Sequence, residues 1–367
     1  MKILYGISGI GTGHSNRQMP IIEHFAQDST LAIFCYNESH RIYSQKFANR
    51  DNVTIIPIDI PFVAGNLHGL DWRETARVNR GKDFNTINSL AMAKAEEVLG
   101  KPNLVVTDYE PLSAQYAYAY DAPLVTLDQQ SKYLCGDNPL GNNFPRVDGQ
   151  SFQDEIMRLR MFFPRADARI ACSFFQVESS ENKYGVKIFP PTLKSQIVNL
   201  EREEGNSVLM YISSQKAFVQ SLDEVMDMCA VQDEHFDIFL RTIPKLDVPA
   251  NVTVYQHGDL RFYDALSKCK GIVSTAGHTL LSEAMYLGIP VYAIPLPVYE
   301  QHMNAHVMEE HGFGVSRPKL DRESLEDFLQ RIPNFKTNIG QDDDTVLLRR
   351  AGQIEIIAFL EQIARGR

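Results

Sequence analysis

Between Ser274 and Gly314 the chain sets a glycine turn, a carboxylate and a polar pair at spacings that suit a single ligand. Gly271-Ile-Val-Ser274 reads as a short buried strand, Ala276-Gly277-His278 as a turn, and Thr279 to Leu287 has helical spacing with Leu280, Ala284 and Leu287 on one side. A glycine turn feeding a helix aims backbone N–H groups and the positive end of the dipole at one spot, which suits a phosphate. Gly277, His278 and Thr279 supply that start. Glu283, about one turn further in, is placed to accept both hydroxyls of a ribose whose diphosphate rests on the helix end. Gly288-Ile-Pro290 stops the helix, Val291 to Ile294 returns as a strand, and Glu300-Gln301 opens a helix running to His311. Those two polar side chains are expected to face the same crevice, where a sugar beyond the diphosphate would lie. Together the features describe a nucleotide-sugar site. The blander alternative is an ordinary doubly wound α/β half whose glycines and prolines only shape turns.

A second chemical group stands near the N-terminus. Lys2 to Ile7 reads as a strand entering Ser8-Gly9-Ile10-Gly11-Thr12-Gly13-His14, followed by an amphipathic helix carrying Met19, Ile22, Phe25 and Ala26. Strand, glycine loop and helix also open dinucleotide-binding domains, but here the spacing is G-x-G-x-G-H rather than G-x-G-x-x-G. The second strand, Leu31 to Cys35, also lacks an acid at its tip, since Asn37 precedes Glu38. Gly11 and Gly13 let backbone approach a substrate without side-chain bulk. His14 is a near-neutral base of the kind that takes a proton from an attacking hydroxyl, with a helix cap or phosphate contact as the equal competitor. Asp108 ends the strand Leu104-Val-Val-Thr-Asp108, and carboxyl ends of parallel strands face the crevice. Its competing role is to cap the helix that starts near Ser113.

Composition frames these groups. A chain of 367 residues, 44% hydrophobic and 22% charged, is long enough for two domains with substantial cores. A net charge of -10 argues against nucleic acid as a partner, which calls for a basic face. Five scattered cysteines without C-x-x-C spacing read as reduced thiols. The first residues run straight into a strand, and no apolar run approaches the ~18 residues of a spanning helix, so a cytoplasmic protein is expected. Asp59 to Lys82 reads as a long polar loop holding His68 and Trp72, and Phe152 to Phe163 as a helix in which Arg158 and Arg160 alternate with Met157, Leu159 and Met161. Asp342-Asp343-Asp344 is expected to cap a last helix, Val346 to Ala364. His302 and His306 share a helix face without a third ligand nearby, so no metal site is expected.

The C-terminal segment resembles the donor half of GT-B glycosyltransferases, in particular families 1 and 28. Members carry a glycine turn, a Glu eight residues after a His or Arg, a G-x-P, and a D/E-Q-x-x-N-A; the matching residues are Gly277, Glu283, Gly288, Pro290, Glu300, Gln301, Asn304 and Ala305. This half is similar to the lipid-linked N-acetylglucosaminyltransferases of peptidoglycan synthesis. Thr275 stands where the family's His or Arg contacts the diphosphate. Family 28 has a G-G-S-Q-G loop after the first strand of this half. Ser214 and Gln215 match it, while Lys216 replaces a glycine and brings a charge that Thr275 does not.

The resemblance implies an α/β GT-B fold with two facing Rossmann-like domains and the active site between them. The expected organisation is an acceptor-side domain over 1–192, a nucleotide-sugar domain over 193–345, and a C-terminal helix over 346–367 packing back on the first. It implies an inverting, metal-independent hexosyl transfer from a nucleoside diphosphate sugar, UDP-sugar foremost, to a small-molecule or lipid-linked acceptor. No cofactor is implied beyond the nucleotide-sugar co-substrate. In some family 1 enzymes an Asp at a comparable strand end orients the catalytic His, which would be the role of Asp108 toward His14. Family 28 relatives use an apolar and basic patch to lie on the inner membrane face, a role open to the 152–163 helix alongside that of a core helix with solvated arginines. Two further readings stay open: a nucleotide-sugar hydrolase or epimerase of the same fold, and a non-catalytic nucleotide-sugar-binding module.

Overall fold

The computed structural model describes residues 1–66, 69–135, 149–177, 182–203, 205–212, 220–245, 247–296 and 298–366. The described residues divide into two compact units, one drawing on Met1 to Cys135, Gly149–Lys194 and Arg350 to Gly366, the other on Ser195–Arg349.

The first unit alternates strands and helices in chain order: β1 (Lys2–Ile7), α1 (Gly13–Phe25), β2 (Thr30–Cys35), α2 (Asn37–Lys46) and β3 (Val53–Pro57). Where a structureless loop is expected over 59–82, the chain forms a small hairpin, β4 (Gly65–Asn66) and β5 (Gly69–Leu70), and then α3 (Trp72–Val78), capped by Asp71. His68 lies outside the described residues. Next come α4 (Phe84–Leu99), β6 (Leu104–Asp108), α5 (Pro111–Tyr120), β7 (Leu124–Asp128), a 3-10 turn (Gln130–Cys135), α6 (Gly149–Phe162), β8 (Ala168–Cys172) and β9 (Val186–Phe189). The sheet order is β3-β2-β1-β6-β7-β8-β9, and every pairing is parallel. Its strands read as continuous apolar runs because helices cover both faces, as a parallel sheet demands.

The second unit follows the same plan with α7 (Ser195–Val198), β10 (Ser207–Ile212), α8 (Leu222–Ala230), β11 (His235–Leu240), β12 (Val252–Gln256), α9 (Arg261–Lys268) and β13 (Cys269–Ser274). It closes with α10 (His278–Leu287), β14 (Val291–Ala293), α11 (Tyr299–Glu310), β15 (Gly314–Ser316) and α12 (Arg322–Gln341). The parallel order is β12-β11-β10-β13-β14-β15. In each sheet the order reverses once next to the first strand, between β1 and β6 and between β10 and β13, and ligands of open α/β sheets bind at such points.

The last helix, α13, spans Gln353–Ala364 and belongs to the first unit, where Ile356 and Leu360 join the buried cluster around Ile3, Ile21 and Phe25. It begins seven residues later than the spacing predicts. Asp342 and Asp344 do not cap it; both bind the Arg349 guanidinium, at 3.0 and 2.7 Å, and the N-cap is Gly352. All five cysteines are buried and free. Among the described residues no helix is long and apolar enough to cross a membrane.

Candidate functional site

The reversal point of the first sheet carries His14 and Asp108. Gly9 is packed so tightly that a Cβ there would sit 2.0 Å from the Tyr36 carbonyl oxygen, and Gly11 adopts a φ of +69°, a conformation that favours glycine. The turn delivers His14 into the first turn of α1, beside the end of β6. There His14 Nδ1 lies 2.9 Å from Asp108 Oδ1. Thr12, not His14, occupies the N-cap of α1. Nor does Asp108 cap α5: Glu110 does, accepting from the amides of Leu112 and Ser113. The competing cap readings of both residues therefore fail, and the two side chains meet.

Asp108 is fully buried and its carboxylate is surrounded by donors. Arg17 Nη2 donates to Oδ1 at 2.8 Å and to Oδ2 at 2.9 Å, and Gln18 Nε2 donates to Oδ2 at 2.8 Å. Gln18 is itself held by the Leu127 carbonyl and by the Tyr5 hydroxyl, which donates to its Oε1. Burial alone would raise the Asp108 pKa, but the neighbouring guanidinium and the His14 ring hold it below the ordinary range, so Asp108 is a carboxylate. Two other acids in this unit go the opposite way: burial pushes Glu110 up to about 7, and burial together with the Asp108 charge pushes Asp128 up to about 6. Tyr109, immediately after Asp108, takes a left-handed φ of 56°, and its ring stacks against His14 with centroids 6.1 Å apart. On its other side it meets Phe162 of α6 edge-on at 5.5 Å.

Sequence reasoning missed Arg17, Gln18 and Tyr109. A signal existed for Gln18: Ser15 and Gln18 are polar, yet lie on the face of α1 that the Met19, Ile22 and Phe25 spacing would bury, and both are buried; Arg17 is buried away from that face. The 152–163 helix is a core helix on one face, with Phe152, Ile156, Leu159 and Phe163 buried, while Met157 and Met161 are about half exposed on the other.

In the second unit β13 ends at Ser274 and α10 begins at His278, with Gly277 as an N-cap that makes no side-chain capping bond. Gly277 needs neither an unusual backbone, at φ -66° and ψ 133°, nor relief from a clash, since a Cβ there would meet nothing within 4 Å. The turn is held from below by Asn304 of α11, fully buried, whose Nδ2 donates to the Ala276 carbonyl at 3.0 Å. Asn304 was legible as part of the motif, but not as the strut of this turn. His278 is buried and its Nδ1 lies 3.4 Å from Ser282 Oγ, whose hydroxyl donates back to the His278 carbonyl. Thr279 occupies the next helical position.

Glu283 is buried on the same helix. Burial and then its charge raise the hydroxyls of Tyr211 on β10 and Tyr263 on α9, so the carboxylate sits close to the end of β10 and to α9. Gln301 is drawn into the fold through Oε1, which accepts from the Leu296 amide at 2.9 Å, and Glu300 is half-buried beside it. Ser214, Gln215 and Lys216 lie outside the described residues, directly after β10. Among the described residues no group of three or more His, Cys, Asp or Glu side chains converges on a metal position.

Comparison with known proteins gives a consistent picture. The profile described as glycosyl transferase family 1 matches residues 1–333. NDP-glycosyltransferase YjiC of Bacillus subtilis (strain 168) is 30% identical over 192 residues, 45% of this chain and 47% of that protein. A glycosyltransferase of Methanopyrus kandleri described as uncharacterized is 33% identical over 108 residues, 26% of this chain and 31% of its own length. The chain thus spans less than half the length of each of these curated relatives. Among solved structures, Os79 from O. sativa in complex with UDP superimposes with a TM-score of 0.72 at 16% identity, covering 99% of this chain and 100% of that one. Glycosyltransferase VinC in complex with dTDP gives 0.66 at 15% identity over the whole of both chains. These likenesses establish the fold of GT-B glycosyltransferases.

Proposed function

The chain belongs to glycosyl transferase family 1, and from that premise we propose that it moves a hexose from a nucleoside diphosphate sugar to an acceptor hydroxyl, with inversion and without a metal ion. The observation that carries this reading is the His14–Asp108 pair at 2.9 Å on the reversal point of the first sheet. Asp108 accepts the Nδ1 proton and fixes the ring tautomer, leaving Nε2 as the base. Nε2 takes the acceptor's proton as its oxygen forms a bond to the anomeric carbon. The bond from that carbon to the diphosphate breaks, and the nucleoside diphosphate departs from the opposite face. A single displacement of this kind inverts the anomeric centre.

In the second unit the amides of Gly277, His278 and Thr279 meet the departing diphosphate, the electrostatic role a metal plays elsewhere. The open space over Gly277 supports this, because the fold gives no other reason for the missing side chain. Glu283 receives the ribose hydroxyls, and Glu300 and Gln301 the sugar. Ser214, Gln215 and Lys216 belong to the donor site by their match to the family loop alone. UDP is the first nucleotide to try, since Os79 was solved with UDP, and dTDP the second, from VinC. The acceptor is a small molecule or a lipid-linked one met at the inner membrane face, and the setting is cytoplasmic.

A thermal-melt panel of UDP-, dTDP- and GDP-sugars finds the donor, because a ligand bound to the folded state raises apparent stability by mass action. Transfer assays with that donor should then give a product of opposite anomeric configuration at a rate EDTA does not change. Acceptor-free breakdown or interconversion of the donor as fast as transfer would replace this reading with hydrolase or epimerase. Donor binding without turnover across an acceptor panel would replace it with a binding module.

A further inference from the structure

The Asp108 carboxylate faces two cationic or potentially cationic partners. Arg17 follows His14 by one helical turn on α1, is 5% exposed, and places Nη2 2.8 and 2.9 Å from the two carboxylate oxygens and 2.9 Å from His14 Nδ1. Nη2 thus reaches both carboxylate oxygens and the ring nitrogen at once. In the proposed reaction the proton shared by His14 and Asp108 sits on Nδ1, and Nε2 is bare. The same guanidinium cancels the carboxylate charge at the point where a protonated ring would need it.

We infer that Arg17 is a positioning residue: it offsets the Asp108 charge beside the His14 ring and leaves that carboxylate the role of orienter rather than counter-ion. The inference rests on the reading of His14 as the proton acceptor. A plain His–Asp pair has one anion and no fixed cation and would stabilise imidazolium, whereas here a permanent positive charge stands beside the ring. Other titratable groups surround the pair: Tyr5 on β1, Tyr43 on α2, Asp128 on β7 and Cys172 on β8 lie on the Arg17 side. On the ring side stands Tyr109, backed by Glu155 and Arg158 of α6. Of these, Asp128 titrates in the same window as a histidine, at about 6, so the response of the ring has to be followed directly.

The test is an NMR titration of the His14 ring in the full chain, which reads the electrostatics whether or not turnover is seen. Arg17→Gln should raise the His14 midpoint by about one pH unit, and the acidic limb of kcat/KM should move up with it. Arg17→Lys, which keeps the charge, should leave the midpoint near the wild-type value while lowering kcat. Asp108→Asn alone should lower the midpoint by about one unit, and the Asp108→Asn/Arg17→Gln double variant should bring it back. The last two carry the test should Arg17→Gln fail to fold, because the double variant removes both buried charges. Repeating the measurements in an Asp128→Asn background should preserve the differences. A purely structural Arg17 would lower the unfolding temperature and leave the midpoint in place, and that result, or equal midpoints in Asp108→Asn and the double variant, would overturn the inference. Midpoints that move as stated in a chain without transferase activity would remove the proposed function and leave the electrostatic assignment standing.

Discussion

At the ends of β1 and β6 a buried carboxylate is met by His14, Arg17 and Gln18, all side chains from one helix face. At the end of β13 the corresponding turn is held through its backbone by Asn304, and the space above Gly277 is left open. Both places are reversal points of the same parallel topology, so sheet geometry is not what distinguishes them. The first fixes the position of a proton, which needs side chains whose charges are matched at hydrogen-bond distance. The second presents helix amides, which need a rigid turn and no side chain in the way. Substitutions at the two points should therefore fail differently, in turnover at the first and in donor affinity at the second.

The largest separation is expected from His14→Ala. Loss of a positioned general base lowers kcat by about 10²–10⁴. The side chain is partly exposed and outside the apolar core, so the unfolding temperature and donor affinity should hold. A matching fall in donor affinity would erase the proposed division of labour. Asp108→Asn comes next and should break both kinetics and stability. It leaves the Arg17 guanidinium buried without a full counter-charge, which costs about 3–5 kcal/mol in denaturant unfolding, and it loosens the His14 tautomer. On the donor side, Glu283→Ala should weaken binding of the nucleotide sugar by about 10–100-fold, the worth of a charge-assisted pair of hydrogen bonds, while a donor-saturated kcat falls far less. Gly277→Ala should weaken it by roughly tenfold, since a methyl would stand where the phosphate oxygens approach. Unfolding at unchanged temperature would accompany it, because nothing in the fold lies within 4 Å of that methyl.

The contrast also explains what could be read from the sequence. The strands were legible because parallel sheets bury both faces and leave continuous apolar runs such as Ile3 to Ile7 and Leu104 to Val106. The donor-side residues were legible because glycine, proline and a lone acid leave marks at fixed offsets. What Arg17 and Gln18 bind was not, because their partner Asp108 lies across the sheet on β6, 91 and 90 residues away. Asn304 serves a carbonyl, and any residue supplies a carbonyl, so its target Ala276 left no trace. The start of α13 was misplaced because Asp342 and Asp344 look like caps until Arg349 is seen between them.

The smallest effect tests whether the first unit alone carries the charge-tuned interior. Its Glu110 and Asp128 are raised to about 7 and about 6 by burial, whereas an unfolded chain ionises such groups near their ordinary values of about 4. A carboxyl whose folded pKa exceeds its unfolded one binds more protons when folded across the interval between them, so stability falls as pH rises through it. Asp108 behaves in the opposite sense: its contribution is complete above the ordinary carboxylate range and is lost only as pH falls below it. Unfolding free energy measured in denaturant should therefore decline between about pH 4.5 and 7, by roughly 1–3 kcal/mol for Glu110. Glu110→Gln should flatten most of that slope while keeping an acceptor for the amides at the start of α5. Should the decline persist unchanged in Glu110→Gln and in Asp128→Asn alike, its source lies outside these two acids, and the electrostatic contrast between the two reversal points narrows to the Arg17–Asp108–His14 cluster.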